Sequence, residues 1–92
     1  MNLKDKTIVI TGAARGLGAA MAKRLAVHQP KLALVDMKAE DLTTTAAACE
    51  QLGATVYSFG ANVAKEADVI ALFDSIVAQC GSVDALVNNA GI

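Results

Sequence analysis

Charge is scarce in this sequence, and so are the residues that most often carry chemistry. Charged side chains make up 18% of the 92 residues, against about 25% in an ordinary soluble domain. Hydrophobic residues reach 54%, which excludes a disordered tail and requires something to pack. The formal net charge is −1, so there is no basic footprint for nucleic acid. Long apolar runs are missing too. The longest stretch without a charged side chain runs from Gln51 to Ala64 and holds Gly, Gln, Ser and Asn. It is too short and too polar to span a bilayer, which takes about 20 apolar residues. Lys4-Asp5-Lys6 precedes only a short apolar run, so Met1 to Lys6 is no signal peptide, and a cytoplasmic location is expected.

There are two cysteines, Cys49 and Cys80, and one histidine, His28. No C-x-x-C pair and no nearby histidine completes a metal site, so no metal ligands are assigned. Both cysteines fall on the apolar stripe of an expected helix and read as small core residues. His28 stands just before Gln29-Pro30, where it fits a helix C-terminus better than a catalytic role.

Short aliphatic, β-branched runs occur at Thr7–Thr11, Lys31–Asp36, Ala54–Phe59 and Val83–Asn88. Each is nearly continuous in apolarity, as strands buried on both faces of a parallel sheet are. Helical spacing fills the intervals. Leu17, Met21 and Leu25 are four apart and Pro30 closes that segment. Leu42, Ala46, Cys49 and Leu52 or Gly53 form a weaker stripe. Val69, Leu72, Phe73, Ile76 and Cys80 form a stronger one. Nineteen alanines, mostly in these helices, would let them lie close to a sheet. Strand–helix alternation of this length predicts a doubly wound α/β sheet, βαβαβαβ, of four parallel strands and three helices. No linker or repeat interrupts it, so residues 1–92 read as one domain. A strand as apolar as the fourth belongs inside a sheet. The expectation is therefore an incomplete sheet, the N-terminal portion of a larger α/β protein.

Directly after the first strand stands Thr11-Gly12-Ala13-Ala14-Arg15-Gly16-Leu17-Gly18, leading into a helix. Glycines let a backbone turn sharply and approach a ligand, and a helix N-terminus offers N–H groups to a phosphate. A nucleoside-triphosphate loop would need Lys-Ser or Lys-Thr after the last glycine, which is not there. A G-x-G-x-x-[GA] fingerprint can start at Gly16, but Met21 occupies its last position. The spacing that fits is T-G-x-x-x-G-x-G. Asp36 ends the second strand, where a carboxylate can accept bonds from ribose hydroxyls; it could equally open a turn before Met37-Lys38. The fourth strand ends in Asn88-Asn89-Ala90-Gly91, at the sheet edge where doubly wound folds bind ligands.

TGxxxGxG after the first strand, Asp closing the second and NNAG closing the fourth together resemble the short-chain dehydrogenases/reductases. The resemblance runs along the whole chain and looks closest to the β-ketoacyl-acyl-carrier-protein reductases. It implies a Rossmann-type fold that binds a nicotinamide dinucleotide and transfers hydride between an alcohol and a carbonyl. It places Gly12, Arg15, Gly16, Leu17 and Gly18 around the pyrophosphate and adenosine end, with Thr11 bracing the turn and reaching toward Asn88. Asn62-Val63 match the place of the adenine, where the family usually has Asp-Val; the Asn62 amide oxygen can still accept a bond. Asn88, Ala90 and Gly91 would line the floor beneath the cofactor ribose. Ala64 is a poor helix cap there, although Glu66 and Asp68 suit a first turn.

Asp36 would repel a 2′-phosphate and favours NAD over NADP, and Met37 gives NADP no help, whereas Arg15 could pair with that phosphate. The family takes its catalytic proton from a Tyr-x-x-x-Lys pair, whose lysine lowers the tyrosine pKa. The only tyrosine here, Tyr57, is followed four residues later by Ala61. It reads as a core or edge aromatic, and no catalytic residue is assigned. Residues 1–92 are thus expected to be the cofactor half of an oxidoreductase and inactive alone, with the small-molecule substrate held by other segments. The alternative is a nucleotide-binding or dimer-forming module without chemistry. The family's habit and the low charge favour a homo-oligomer, and neither a membrane nor a nucleic-acid partner is expected.

Overall fold

The computed structural model describes residues 2–90. Strand β1 (Thr7–Thr11) leads through helix α1 (Gly16–Ala26) to β2 (Lys31–Asp36). A 3-10 turn (Ala39–Leu42) and α2 (Thr43–Gln51) lead to β3 (Thr55–Gly60), and α3 (Glu66–Cys80) leads to β4 (Ala85–Asn88). All pairings are parallel, in the order β3-β2-β1-β4. This is the doubly wound Rossmann-type sheet of four strands and three helices that the alternation predicts.

The strands alternate their side chains between the two faces of the sheet. Ile8 and Ile10 of β1 and Leu32 and Leu34 of β2 pack with Ala22 and Ala26 of α1, and with Leu42 and Cys49. On the other face Val9, Ala33 and Val35 meet Leu72, Ile76 and Cys80 of α3. Thus β1 and β2 are buried on both faces, which explains their unbroken apolarity. We expect Leu34→Ala, which empties a fully buried position, to cost about 3 kcal/mol. That corresponds to roughly 12–24 °C in melting temperature, readable from thermal unfolding; a change of a degree or two would mean the core sits elsewhere.

The expected bounds of β1 and β2 agree with the structure residue for residue; other expectations need correction. In α1 the buried side is Gly18, Ala19, Ala22 and Ala26. Leu17 is 63% exposed, and Met21 and Leu25 are half-buried. Small side chains let the helix axis approach the sheet, and the larger ones flank that contact. In the second helical segment Leu42, Thr45 and Cys49 are buried, while Ala46 is half-buried and Leu52 is exposed. Ala54 belongs to the turn after α2, because its N–H donates to the Cys49 carbonyl at 3.1 Å. Asp84 precedes β4 and locks onto β1 through its side chain, the Thr7 N–H donating to Oδ2 at 2.8 Å. The residue capping α3 is Lys65, not Ala64, and it supplies no side-chain bond; Glu66 and Asp68 do occupy the first turn.

Cys49 and Cys80 are buried free thiols. Burial pushes both above the ordinary thiol pKa, against the opposing charges of Lys23 on Cys49 and Lys31 on Cys80. They stay protonated and inert. His28 is exposed just past α1, and Tyr57 is half-buried on the β3 edge of the sheet. No helix among the described residues is long and apolar enough to cross a membrane.

Candidate functional site

The strand order locates the site. From β1 the chain steps outward to β2 and β3, then returns over α3 to place β4 on the other side of β1. Winding reverses between β1 and β4, and a crevice opens outside the carboxyl ends of strands at such a point. Thr11 pairs with Asn88 there at the end of the β1–β4 ladder.

The loop from Gly12 to Arg15 crosses this edge and is fastened from several sides. The Ala13 N–H donates to the Val35 carbonyl at 3.1 Å. Asn89 Nδ2 donates to the Gly12 carbonyl at 3.3 Å. Thr45 Oγ1, on α2, donates to the Ala14 carbonyl at 3.2 Å. At Gly18 a Cβ would overlap the Gly12 carbonyl oxygen and stand 2.8 Å from Asn89 Nδ2. Only glycine lets the first turn of α1 seat on the loop. Gly16 differs: its φ is +59°, and nothing lies within 4 Å of where its Cβ would be. That side of the loop is open. Arg15 stands at the head of α1 and provides no side-chain cap, so the first-turn N–H groups have no intrahelical partner.

Asp36 faces this opening from β2. Its Oδ2 accepts the Ala14 N–H at 3.0 Å and its Oδ1 accepts the Met37 N–H at 2.8 Å. Two backbone donors thus fix the carboxylate plane, and each oxygen retains accepting capacity. With Ala14, Arg15 and Asp41 it lines a hollow of about 270 Å³. Met37, beside it, is 63% exposed.

The β4 side is tied to the same loop. Thr11 Oγ1 donates to Asn88 Oδ1 at 3.0 Å and accepts the Ala90 N–H at 3.0 Å, so Thr11 braces the turn as expected. Val63, Thr11 and Asn88 share a second hollow, of about 190 Å³, with Leu72, Phe73 and Leu86. Asn62 makes two local bonds. Its N–H donates to Asp68 Oδ2 at 3.0 Å, and its Oδ1 accepts the Ala64 N–H at 3.0 Å. Gly12, Arg15, Gly16, Leu17, Gly18, Asp36, Met37, Asn88 and Ala90 therefore gather at one sheet edge, with Val63 on its α3 side. Gly91 lies outside the described residues. Sequence inspection missed Thr45 and Asp41. Thr45 is one of three consecutive threonines, and only its contact with the loop distinguishes it.

A family model for short chain dehydrogenase matches residues 6–92. The 3beta-hydroxysteroid dehydrogenase 1 of Eggerthella lenta is 41% identical over 92 residues, covering 99% of this chain and 35% of that protein. The structure of NAD+-bound xylitol dehydrogenase superposes with a TM-score of 0.93 at 36% identity, over 100% of this chain and 35% of the other. A metagenomic short-chain oxidoreductase in complex with NADP gives 0.93 at 29% identity, over 100% and 42%. The chain spans about a third of the length of the curated relatives it matches. Family match, fold and loop spacing agree, and the chain belongs to the short-chain dehydrogenases/reductases.

Proposed function

We propose that residues 1–92 form the N-terminal part of a Rossmann-type domain that binds a nicotinamide dinucleotide in an alcohol/carbonyl oxidoreductase. The observation that carries this is the pairing of a glycine loop, open at Gly16, with an Asp36 carboxylate oriented by two backbone N–H groups at the rim of the same hollow. The cradle fits the group: a side chain at Gly18 would collide with the loop, and none could stand at Gly16 without strain. Gly12, Arg15, Gly16, Leu17 and Gly18 would surround the pyrophosphate, and Asp36 and Met37 the adenosine ribose. Asn62 and Val63 would meet the adenine, and Asn88, Ala90 and Gly91 the second ribose. The cofactor, when bound, supplies the hydride acceptor or donor. The chain's own residues bind and orient: Asp36 accepts ribose hydroxyls, and its charge disfavours a 2′-phosphate, so NAD is preferred to NADP.

The relatives named for a hydroxysteroid and for xylitol support a secondary alcohol or its ketone as the substrate class. A 3-oxoacyl carrier-protein thioester is a narrower substrate proposal, resting on the resemblance to the β-ketoacyl-acyl-carrier-protein reductases. The whole protein is proposed to be a cytoplasmic homo-oligomer, in keeping with the net charge of −1 and the low charge content. With no Tyr-x-x-x-Lys in the sequence, residues 1–92 should bind NAD yet form no NADH from any secondary alcohol; turnover would refute that. Calorimetric titration tests the cofactor itself. NAD should bind more tightly than NADP or ATP, and an equal or tighter ATP isotherm would overturn the proposal.

A further inference from the structure

We propose that Thr45 is a positioning residue that aims the Arg15 N–H at an anionic group of the ligand. The inference rests on the cofactor proposal above. Thr45 is only 2% exposed, and its hydroxyl does not bond within its own helix. A helical threonine commonly donates to a carbonyl three or four residues back, as Thr43 does to Glu40 at 3.0 Å. Thr45 instead donates across to the Ala14 carbonyl, thirty-one residues away in sequence. That carbonyl belongs to the peptide group whose N–H is Arg15's. No peptide in the described chain is cis, and in a trans peptide the C=O and N–H point in opposite directions. Fastening the carbonyl inward on buried Thr45 therefore turns the Arg15 N–H the opposite way, away from α2.

The neighbouring peptide is fixed separately. The Ala14 N–H donates to Asp36 Oδ2, so the two peptides flanking Ala14 are anchored separately, one to the end of β2 and the other to α2. Arg15 also lines that hollow. An N–H held this way meets an anion with no reorientation, and a hydrogen bond to a charged group is among the stronger ones.

Calorimetry with NAD on the unsubstituted protein, Thr45→Val and Thr45→Ser separates positioning from packing. Valine keeps the shape and loses the hydroxyl; serine keeps the hydroxyl and loses a methyl. Positioning predicts that valine weakens NAD about tenfold, while serine stays within about twofold of the unsubstituted protein. Equal affinity of the valine variant, or serine weaker than valine, overturns the inference alone. No NAD binding by the unsubstituted protein overturns the cofactor proposal and this inference with it. Should Thr45→Val fail to fold by circular dichroism, the unsubstituted protein decides. Its Arg15 amide resonance must move on adding NAD, and a stationary one overturns the inference.

Discussion

Replacing Gly18 by alanine is expected to lower stability by about 3 kcal/mol or more and to abolish dinucleotide binding. The cost of an added methyl depends on what it meets. Overpacking in a core costs about 1–3 kcal/mol where side chains can move aside. Here the obstacle is the Gly12 backbone carbonyl, with Asn89 Nδ2 beside it. Neither can yield cheaply. The Gly12 carbonyl is held by that same amide, and the loop is tied to β2 through the Ala13 N–H bond to Val35. Moving the loop breaks the seat of α1 and changes the outline of the hollow at once. For a domain of this size the melting temperature should fall by roughly 12–24 °C. Gly16→Ala should behave differently, because its Cβ would enter open space and only the positive φ is strained. That variant should lose about 1 kcal/mol or a little more and keep its fold. If the two variants were equally stable, the close seating of α1 on the loop would be wrong.

Asp36→Ala should weaken NAD binding by about 10- to 100-fold, the loss expected for hydrogen bonds to a charged acceptor. NADP binding should stay equal or improve, since the carboxylate that repels its 2′-phosphate is gone. Asp36 also braces the loop through the Ala14 N–H, so alanine removes two things together. Asp36→Asn separates them. One amide oxygen can still accept the Ala14 N–H, while the negative charge is removed. Its amide nitrogen cannot accept the Met37 N–H, so the variant should lose some thermal stability, though less than alanine, while its NADP/NAD affinity ratio rises. An unchanged ratio in both variants would take Asp36 out of the cofactor site.

The strand pattern was legible where burial is two-sided. In β1 and β2 every residue from Ile8 to Ile10 and from Leu32 to Val35 is buried, so continuous apolarity marks them residue for residue. The edges were harder, because there backbone bonds compete. Ala54 is apolar enough for a strand, yet its N–H closes the end of α2. Asp84 donates its own N–H to the Thr7 carbonyl and takes the Thr7 N–H on its side chain, so it joins β1 just ahead of the strand. Spacing also misled in α1. Leu17, Met21 and Leu25 suggested the inward face by size, whereas the helix turns Ala19, Ala22 and Ala26 to the sheet. Where a helix must come close, smallness matters more than hydrophobicity.

The candidate site was legible in its glycines, Asp36 and the Asn88 corner, since each has a backbone or charge requirement that few residue types satisfy. What joins them was not. The bonds from Thr45 to Ala14, from Asn89 to Gly12 and from Asn62 to Asp68 link positions far apart or of ordinary type. Polar residues on a helix carry no mark of which carbonyl they will meet until the chain is folded. Thr43, Thr44 and Thr45 look alike in sequence; only the third is buried.

The loop after β1 and the end of β2 are proposed to hold a nicotinamide dinucleotide together. The most direct measurement is a titration of the isotopically labelled protein with NAD, following backbone amide resonances. The amides of Gly12, Arg15, Gly16, Leu17, Gly18 and Met37 should move together and saturate, while those of Ser82 and Asp84, at the opposite end of the sheet, stay fixed. A titration that leaves the loop resonances in place, or moves only residues at the far end, would contradict it.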